Sequence, residues 1–177
     1  YAEIYINDQY NGLYLLTERL DFSSLSLDGG GALFKEPCVF RASISSEMSE
    51  SAYYYHQKYP NISQVLRYGL LDSLRNFVLN SSDSLFIKNV NEYIDIESVM
   101  DWHILILLTN NSDGVVKNFY LYKPNYLSAL RISPWDYDHS FGRDGDNELN
   151  MLSRIVDPNR NILLHRLNNN SQYLLRL

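Results

Sequence analysis

The most informative part of the chain is residues 95–123, which read DIESVMDWHILILLTNNSDGVVKNFYLYK. Asp95 is a good helix N-cap, and apolar side chains recur after it at the three- and four-residue spacing of a helix. Trp102 belongs to a second apolar face, and a helix that is apolar on most sides packs in the centre of a domain. The pattern therefore predicts a central helix that ends at the turn-forming run 110–114 and carries His103 as a core histidine.

Two strands and a second loop are predicted downstream of this helix. Residues 119–123 and 127–132 are apolar and lie on either side of Pro124-Asn125, which is typical of a hairpin. The hairpin leads into SPWDYDHSFG at residues 133–142. A buried helix, a loop, a hairpin and a second loop thus follow one another, and each loop contains an aspartate.

The rest of the chain mixes strand and helix patterns. The predicted elements are a hairpin with strands over 2–7 and 13–16 and its turn at 8–12, a strand over 32–35, and helices over 62–79 and 161–167. The polar segment 41–60 is interpreted as loop or weak helix, and 144–148 as a solvated acidic loop. Together these elements predict an α+β fold.

The composition is that of an ordinary globular protein. The chain has 177 residues, 45% of them apolar, and a net charge of −6 from 21 acidic and 15 basic residues. The apolar content excludes a disordered tail, and the acidic excess argues against a nucleic-acid partner. Cys38 is the single cysteine, so no internal disulfide or multi-cysteine zinc site can form. The longest strictly aliphatic run, Ile104–Leu108, is too short for a membrane span.

The order of the parts from residue 95 onward is that of a protein-kinase catalytic lobe. In that lobe a loop aspartate accepts the proton of the substrate hydroxyl, an asparagine five residues later holds a metal ion, and an aspartate after the hairpin holds the metal that bridges the phosphates. Asp113, Asn118 and Asp136 stand at these positions. Asn118 and Asp136 offer the hard oxygen ligands that magnesium prefers. The plainer alternative is that Asp113-Gly114 is a simple turn and Asp136 caps a strand, and the pattern alone leaves both interpretations open.

The whole chain also resembles one family, the spore-coat CotH kinases. Four segments carry the resemblance, in the order in which that family has them. They are YINDQYNGLYLLTE at 5–18, GALFK at 31–35, NNSDGVVKNFYLY at 110–122 and PWDYDHSFG at 134–142. Because they occur in order across nearly the whole chain, they are more specific together than any one of them.

The resemblance implies an atypical protein kinase with a kinase-like α+β fold that uses ATP and Mg²⁺. On this resemblance Asp113 would be the catalytic aspartate, Asp136 a metal ligand and Asn118 a second one. Asp138 lies two residues after Asp136, on the same face if the segment is extended. It is interpreted either as a further metal ligand or as a residue that orients the loop.

Two residues in the first half are candidates for cofactor binding. Glu18, inside the first matched segment, either contacts the ribose of ATP or pairs with Arg19 or Arg41 at the surface. Lys35 stands at the end of a predicted strand. It either contacts a phosphate or the ribose, or it is a solvated strand end.

The family pattern also has an upstream segment with a glycine-type phosphate loop and a phosphate-gripping lysine, and no such loop occurs in this sequence. The resemblance therefore implies a single domain over 1–177 with an incomplete N-terminal lobe. Residues 1–40 would be the remnant of the small-lobe strands and the hinge, and 41–177 the C-terminal lobe. Such a chain would bind nucleotide poorly and transfer phosphate poorly or not at all.

The expected function is transfer of the ATP γ-phosphate to serine or threonine of a coat or surface protein, in the spore coat, at the cell surface or in secreted form. The alternative is a non-catalytic adhesin, invasin or coat-assembly protein that keeps the fold and binds its partner through a tyrosine-rich face. Transfer of AMP instead of phosphate is a third, enzymatic variant.

Overall fold

The computed structural model describes residues 1–35, 37–41, 56–143 and 151–177, and within these ranges the chain forms two antiparallel sheets and several helices. The strands are β1 (Ala2–Ile6), β2 (Gln9–Tyr14), β3 (Ala32–Lys35), β4 (Gln57–Tyr59), β5 (Phe119–Lys123) and β6 (Arg131–Pro134). The helices are α1 (Tyr68–Asn80), α2 (Asp83–Tyr93), α3 (Ile96–Thr109), α4 (Met151–Val156), α5 (Ile162–Asn168) and α6 (Ser171–Leu174). The α+β class is confirmed, and the kinase-like arrangement stays a prediction. The acidic loop at 144–148 lies outside the described residues, as does most of the polar segment 41–60.

The larger sheet has four antiparallel strands in the order β4-β3-β5-β6 and is covered on both faces. Phe34 and Leu121 are partners in the register and are fully buried with the helices on one face. Leu33 and Tyr120 are buried on the other face, where Leu27 packs against them. β3 and β5 therefore belong to one sheet. The predicted boundary between the two lobes, at residue 40, falls between these two strands in the sequence, and the division into lobes stays a prediction.

Helix α3 is the central element, as its apolar pattern predicts. Val99, Trp102 and His103 are buried in the core. Asp95 caps the helix by accepting a 3.3 Å hydrogen bond from the Ser98 N–H. The Ser98 hydroxyl in turn accepts a 3.2 Å hydrogen bond from the Ile132 N–H in β6. The start of α3 thus positions the strand that leads into the second aspartate loop.

The N-terminal hairpin forms as predicted, but its turn is tighter than the predicted 8–12. β1 pairs with β2 through a two-residue turn at Asn7-Asp8, both with left-handed backbone (φ +51° and +62°). Asparagine and aspartate tolerate this conformation, which two-residue hairpin turns require. Because the turn is short, β2 begins at Gln9 and includes residues predicted as turn.

Two predicted elements begin later than the sequence indicates, and one helix is missed. The helix predicted over 62–79 begins at Tyr68, because the buried Gln57 side chain bonds the Arg67 N–H and the Val65 carbonyl and holds them outside the helix. The strand predicted over 127–132 begins at Arg131. Helix α2 carries only two fully buried apolar residues and was not predicted. In the described ranges no helix is both long enough and apolar enough to cross a bilayer.

Candidate active site

Two loops, each with a predicted functional aspartate, meet at the C-terminal end of α3. We call them the Asp113 loop (residues 110–118) and the Asp136 loop (residues 135–142). Helix α3 ends at Asn110 in left-handed conformation, and the Asp113 loop begins there. The preceding residue, Thr109, accepts a 2.7 Å hydrogen bond through its carbonyl from the Phe141 N–H of the Asp136 loop. One helix end therefore anchors both loops.

Asn118 joins the two loops through its side chain and its main chain. Its Nδ2 donates a 2.9 Å hydrogen bond to the Asp136 carbonyl, and its own carbonyl accepts a 2.9 Å hydrogen bond from the Trp135 N–H. Asn118 is 5% exposed, whereas Asp136 is exposed. Because Nδ2 is engaged with Asp136, the amide oxygen of Asn118 is held near that residue.

Asn111 forms a second link between the loops, and sequence reasoning recognised it only as a turn residue. Its buried side chain accepts a 2.6 Å hydrogen bond from the Gly114 N–H and donates a 3.1 Å one to the Ser140 hydroxyl. Ser140 donates to the Tyr137 carbonyl at 2.7 Å. No local pattern marks this link between the loops, because Ser140 lies 29 residues along the chain from Asn111.

Gly114 and Tyr137 are in direct contact, each next to one of the predicted functional aspartates. A Cβ atom at position 114 would lie 2.7 Å from the Tyr137 Oη, so only glycine fits without a shift. Desolvation by burial raises the pKa of the Tyr137 hydroxyl, which therefore stays protonated. The Trp102 indole opposes this shift only in part, and within the described residues neither polar atom meets hydrogen-bond geometry.

Asp113 begins a 3₁₀ turn, Asp113–Val115, and its carboxylate is partly exposed. The Oδ2 atom of Asp113 lies 2.9 Å from the Lys117 Nζ. Asn161, the N-cap of α5, supports the turn by donating a 2.7 Å hydrogen bond from its Nδ2 to the Val115 carbonyl. Asp113 thus stands on a braced turn, with a cation at its carboxylate.

Backbone strain is concentrated in these loops. Asn110, Asn118, Asp136 and Phe141 all have left-handed backbone, with φ between +51° and +62°. The conformation is uncommon for residues other than glycine and is least favourable for a bulky one such as Phe141, whose side chain is also 74% exposed. Strained residues persist where the surrounding structure enforces them, and they cluster at functional sites.

A cleft of about 400 Å³ lies between the end of α3 and the Asp136 loop. Asp136 and Asp138 both line it, and the backbone at Asp136 is left-handed and not extended. The Asp138 carboxylate lies 3.3 Å from the Arg143 guanidinium and 3.7 Å from His139 Nε2. Asp138 is therefore already engaged, whether as a ligand or as a residue that orients the loop.

The two predicted cofactor-binding residues differ in their surroundings. The Lys35 ammonium lies 4.9 Å from the centre of the ring of Trp135, the residue before Asp136 in the chain. Lys35 is therefore half-buried against the Asp136 loop, not a freely solvated strand end. Glu18 lies exposed in the irregular segment after β2, and within the described residues its side chain makes no ion pair with Arg19 or Arg41.

The site offers few protein ligands for a metal. Among the described residues, no group of three or more histidine, cysteine, aspartate or glutamate side chains could hold an ion. The candidate oxygen ligands are the Asp136 carboxylate and the amide of Asn118, whose Nδ2 donates to the Asp136 main-chain carbonyl. Magnesium in nucleotide sites is usually held by one or two carboxylates together with water and phosphate oxygens. The donor set therefore fits a magnesium–nucleotide complex better than a bare metal ion.

Comparison with known proteins identifies the family to which the chain belongs. The family model described as CotH kinase protein matches residues 1–177, so the chain belongs to this family, and the predicted resemblance is confirmed. A similar protein is the inner spore coat protein H of Bacillus subtilis (strain 168). It is 30% identical over 88 residues, which cover 50% of this chain and 24% of that protein.

Proposed function

We propose that the chain is the catalytic part of an atypical protein kinase that transfers the γ-phosphoryl group of ATP to a serine or threonine hydroxyl. The observation that carries the proposal is the contact between the two aspartate loops, through Asn118 and the Asp136 carbonyl and through Gly114 and Tyr137. Phosphoryl transfer depends mainly on positioning and on charge neutralisation. Two loops held together by a buried amide and a close backbone contact are suited to positioning.

Each residue has a distinct task in this proposal. Asp136 and the Asn118 amide oxygen would hold Mg²⁺, which neutralises phosphate charge when bound. Asp113 would accept a hydrogen bond from the acceptor hydroxyl and orient it for attack. Lys35, beside Trp135, would contact a phosphate or the ribose, and Glu18 would reach the nucleotide only if the irregular segment after β2 folds toward the cleft.

The protein substrate is proposed to be a coat or surface protein. Support comes from the similar Bacillus subtilis protein, which is named as an inner spore coat protein. The matched part covers only 24% of that protein, so the spore coat as location and a coat protein as substrate belong to the proposal.

Radiolabel transfer from ATP in the full-length protein tests this function. Asp113→Ala and Asp136→Ala are each expected to lower the transfer rate by about 10²-fold or more, because each removes a group that acts at the reacting phosphate. Asp101→Ala removes an exposed aspartate from α3 and serves as the matched control, with no loss expected. Full activity in both site variants would contradict the proposal, and the mass of the modified product separates phosphate from AMP transfer.

One observation favours a non-catalytic role as the second candidate. The hairpin β1–β2 exposes tyrosine side chains, with Tyr5 at 59% and Tyr10 at 58% exposure. Such a surface suits partner binding in an adhesin or coat-assembly protein. Thermal unfolding of the full-length protein with Mg-ATP distinguishes the two, since ligand at about 100 times its Kd adds about 2.7 kcal/mol to stability. An unchanged Tm would favour the non-catalytic role.

A further inference from the structure

We infer that Ser140 is a positioning residue for phosphoryl transfer, an inference that rests on the proposed function. Its hydroxyl accepts a 3.1 Å hydrogen bond from Asn111 Nδ2 and donates a 2.7 Å hydrogen bond to the Tyr137 carbonyl. The Asn111 amide oxygen accepts a 2.6 Å hydrogen bond from the Gly114 N–H. These three consecutive hydrogen bonds, which we call the Ser140 network, run from one aspartate loop to the other.

The chemistry of its two ends fixes the direction of every hydrogen bond in the Ser140 network. The Gly114 N–H can only donate, so the amide oxygen of Asn111 faces it and the NH₂ group faces Ser140. That NH₂ group can only donate, and the Tyr137 carbonyl can only accept. The Ser140 hydroxyl is therefore held in one orientation. Asn111 is fully buried, so water does not compete for its side chain.

The Ser140 network ends next to both predicted functional aspartates. Gly114 directly follows Asp113, and Tyr137 directly follows Asp136. A shift at either end therefore moves the neighbouring carboxylate. In the proposed reaction one carboxylate orients the acceptor hydroxyl and the other holds Mg²⁺, so their separation decides whether the hydroxyl is aligned with the phosphorus. A misplacement of about 1 Å can lower a rate by about 10²-fold.

Ser140 also gives the Asp136 loop a further point of attachment. Asn118 holds the loop at the Asp136 carbonyl with a 2.9 Å hydrogen bond. The neighbouring Phe141 N–H bonds the Thr109 carbonyl and so attaches the loop to helix α3. The Ser140 hydroxyl instead joins it to the turn that carries the other aspartate. The two loops are thus held to each other on both sides of the segment that carries the metal-side carboxylates.

The test compares two serine variants in the full-length protein. Ser140→Ala removes the hydroxyl and leaves the backbone hydrogen bonds of the loop in place. It is expected to lower kcat about tenfold, with the KM for ATP changed less than about threefold, because both carboxylates remain and only their alignment changes. Ser82→Ala removes the hydroxyl that caps α2 and is the matched control, with lower stability but unchanged kcat. Urea unfolding measures the stability of each variant.

A double-mutant cycle tests whether the network acts as a unit. Asn111→Ala breaks the network at its other side chain. The double variant with Ser140→Ala is expected to keep kcat within about threefold of the slower single variant, because one network can be broken only once. Losses that multiply would overturn the inference. If urea unfolding shows that Asn111→Ala fails to fold, the comparison of Ser140→Ala with Ser82→Ala decides alone.

Each remaining outcome bears on one hypothesis. A Ser140→Ala variant with wild-type kcat, a loss confined to KM, or a loss of kcat equal to that of Ser82→Ala overturns the role of Ser140 and leaves the proposed function standing. A wild-type protein that transfers no phosphate overturns the proposed function, and the inference with it.

Discussion

The N-terminal hairpin and the four-stranded sheet are both built from short antiparallel strands, yet they differ sharply in burial. Leu13 in β2 is 61% exposed and Ile6 in β1 is 55% exposed. Leu33 in β3 is 1% exposed and Phe34 is fully buried. The hairpin strands pair only with each other in the described residues, whereas β3 lies inside a sheet with a hydrophobic cluster on each face.

The difference shows that the apolar residues of a strand do not by themselves determine how much the strand contributes to the stability of the fold. The hairpin is specified by its turn at Asn7-Asp8, which is a local signal. A two-stranded hairpin is marginally stable by itself, since it has no second layer to pack on. No turn of this kind specifies β3, but the elements that cover the sheet on both faces stabilise it. We expect equal substitutions in the two regions to have unequal effects.

Replacing one leucine in each region is the strongest test of this contrast. Leu33→Ala removes a buried side chain that packs with Leu27 and Tyr120, and it is expected to lower the free energy of unfolding by about 2–5 kcal/mol. Leu13→Ala is the matched control and is expected to change it by no more than about 0.5 kcal/mol. Urea unfolding followed by circular dichroism measures both. Equal losses would mean that the hairpin is packed as tightly as the sheet.

The buried core also contains a titratable pair, His103 and Tyr173. Burial lowers the pKa of His103 from 6.5 to about 4, and its Nδ1 shares a 2.9 Å hydrogen bond with the Tyr173 hydroxyl. Between these two pH values the unfolded state binds more protons than the folded state. Stability is therefore expected to be complete above about pH 6.5 and to fall by about 3 kcal/mol as the pH is lowered to about 4.

Unfolding free energies measured across this range check the prediction. His103→Gln keeps a polar partner for Tyr173 but cannot titrate, and it is expected to lose most of the pH dependence. His165→Gln leaves His103 in place and is expected to keep it. If the unfolding free energy of the His103→Gln variant still fell with decreasing pH, groups other than His103 would cause the pH dependence.

The smallest of the three effects concerns the two loops at the end of α3. Gly114→Ala places a methyl group against the Tyr137 hydroxyl and is expected to cost about 1–3 kcal/mol through overpacking. Gly69→Ala, in α1, is the matched control, because its added Cβ meets no atom within 4 Å. It is expected to stabilise by up to about 1 kcal/mol, since alanine favours helix. Urea unfolding of both variants should give opposite signs, and a harmless Gly114→Ala would remove the close contact between the loops.

Much of the fold could be predicted because its signals are local. The central helix follows from the Asp95 cap and the apolar spacing, and β3 and β5 have the predicted bounds. The start of α1 could not be predicted, because the Gln57 side chain takes up the backbone groups that would have extended the helix. Helix α2 was missed because its buried apolar surface is small.

The candidate site could be predicted in part. Sequence order and family resemblance indicate Asp113, Asn118 and Asp136, and their loops do meet. The roles of these residues remain predictions. Asn111 and Tyr137 could not be assigned from the sequence, because the contacts that define their roles, Asn111 with Ser140 and Tyr137 with Gly114, join segments far apart in the chain.

By itself the sequence determined the family, the central helix, the presence of the N-terminal hairpin and the residue types available for phosphate chemistry, since each of these is expressed in neighbouring residues. Only the tertiary structure decided which apolar strands are buried and that the Asn111 side chain bonds the Ser140 hydroxyl of the second loop. The physical reason is that burial and long-range side-chain pairing depend on which distant segments pack against each other. The hydrophobic periodicity of one segment does not specify the segments that it packs against.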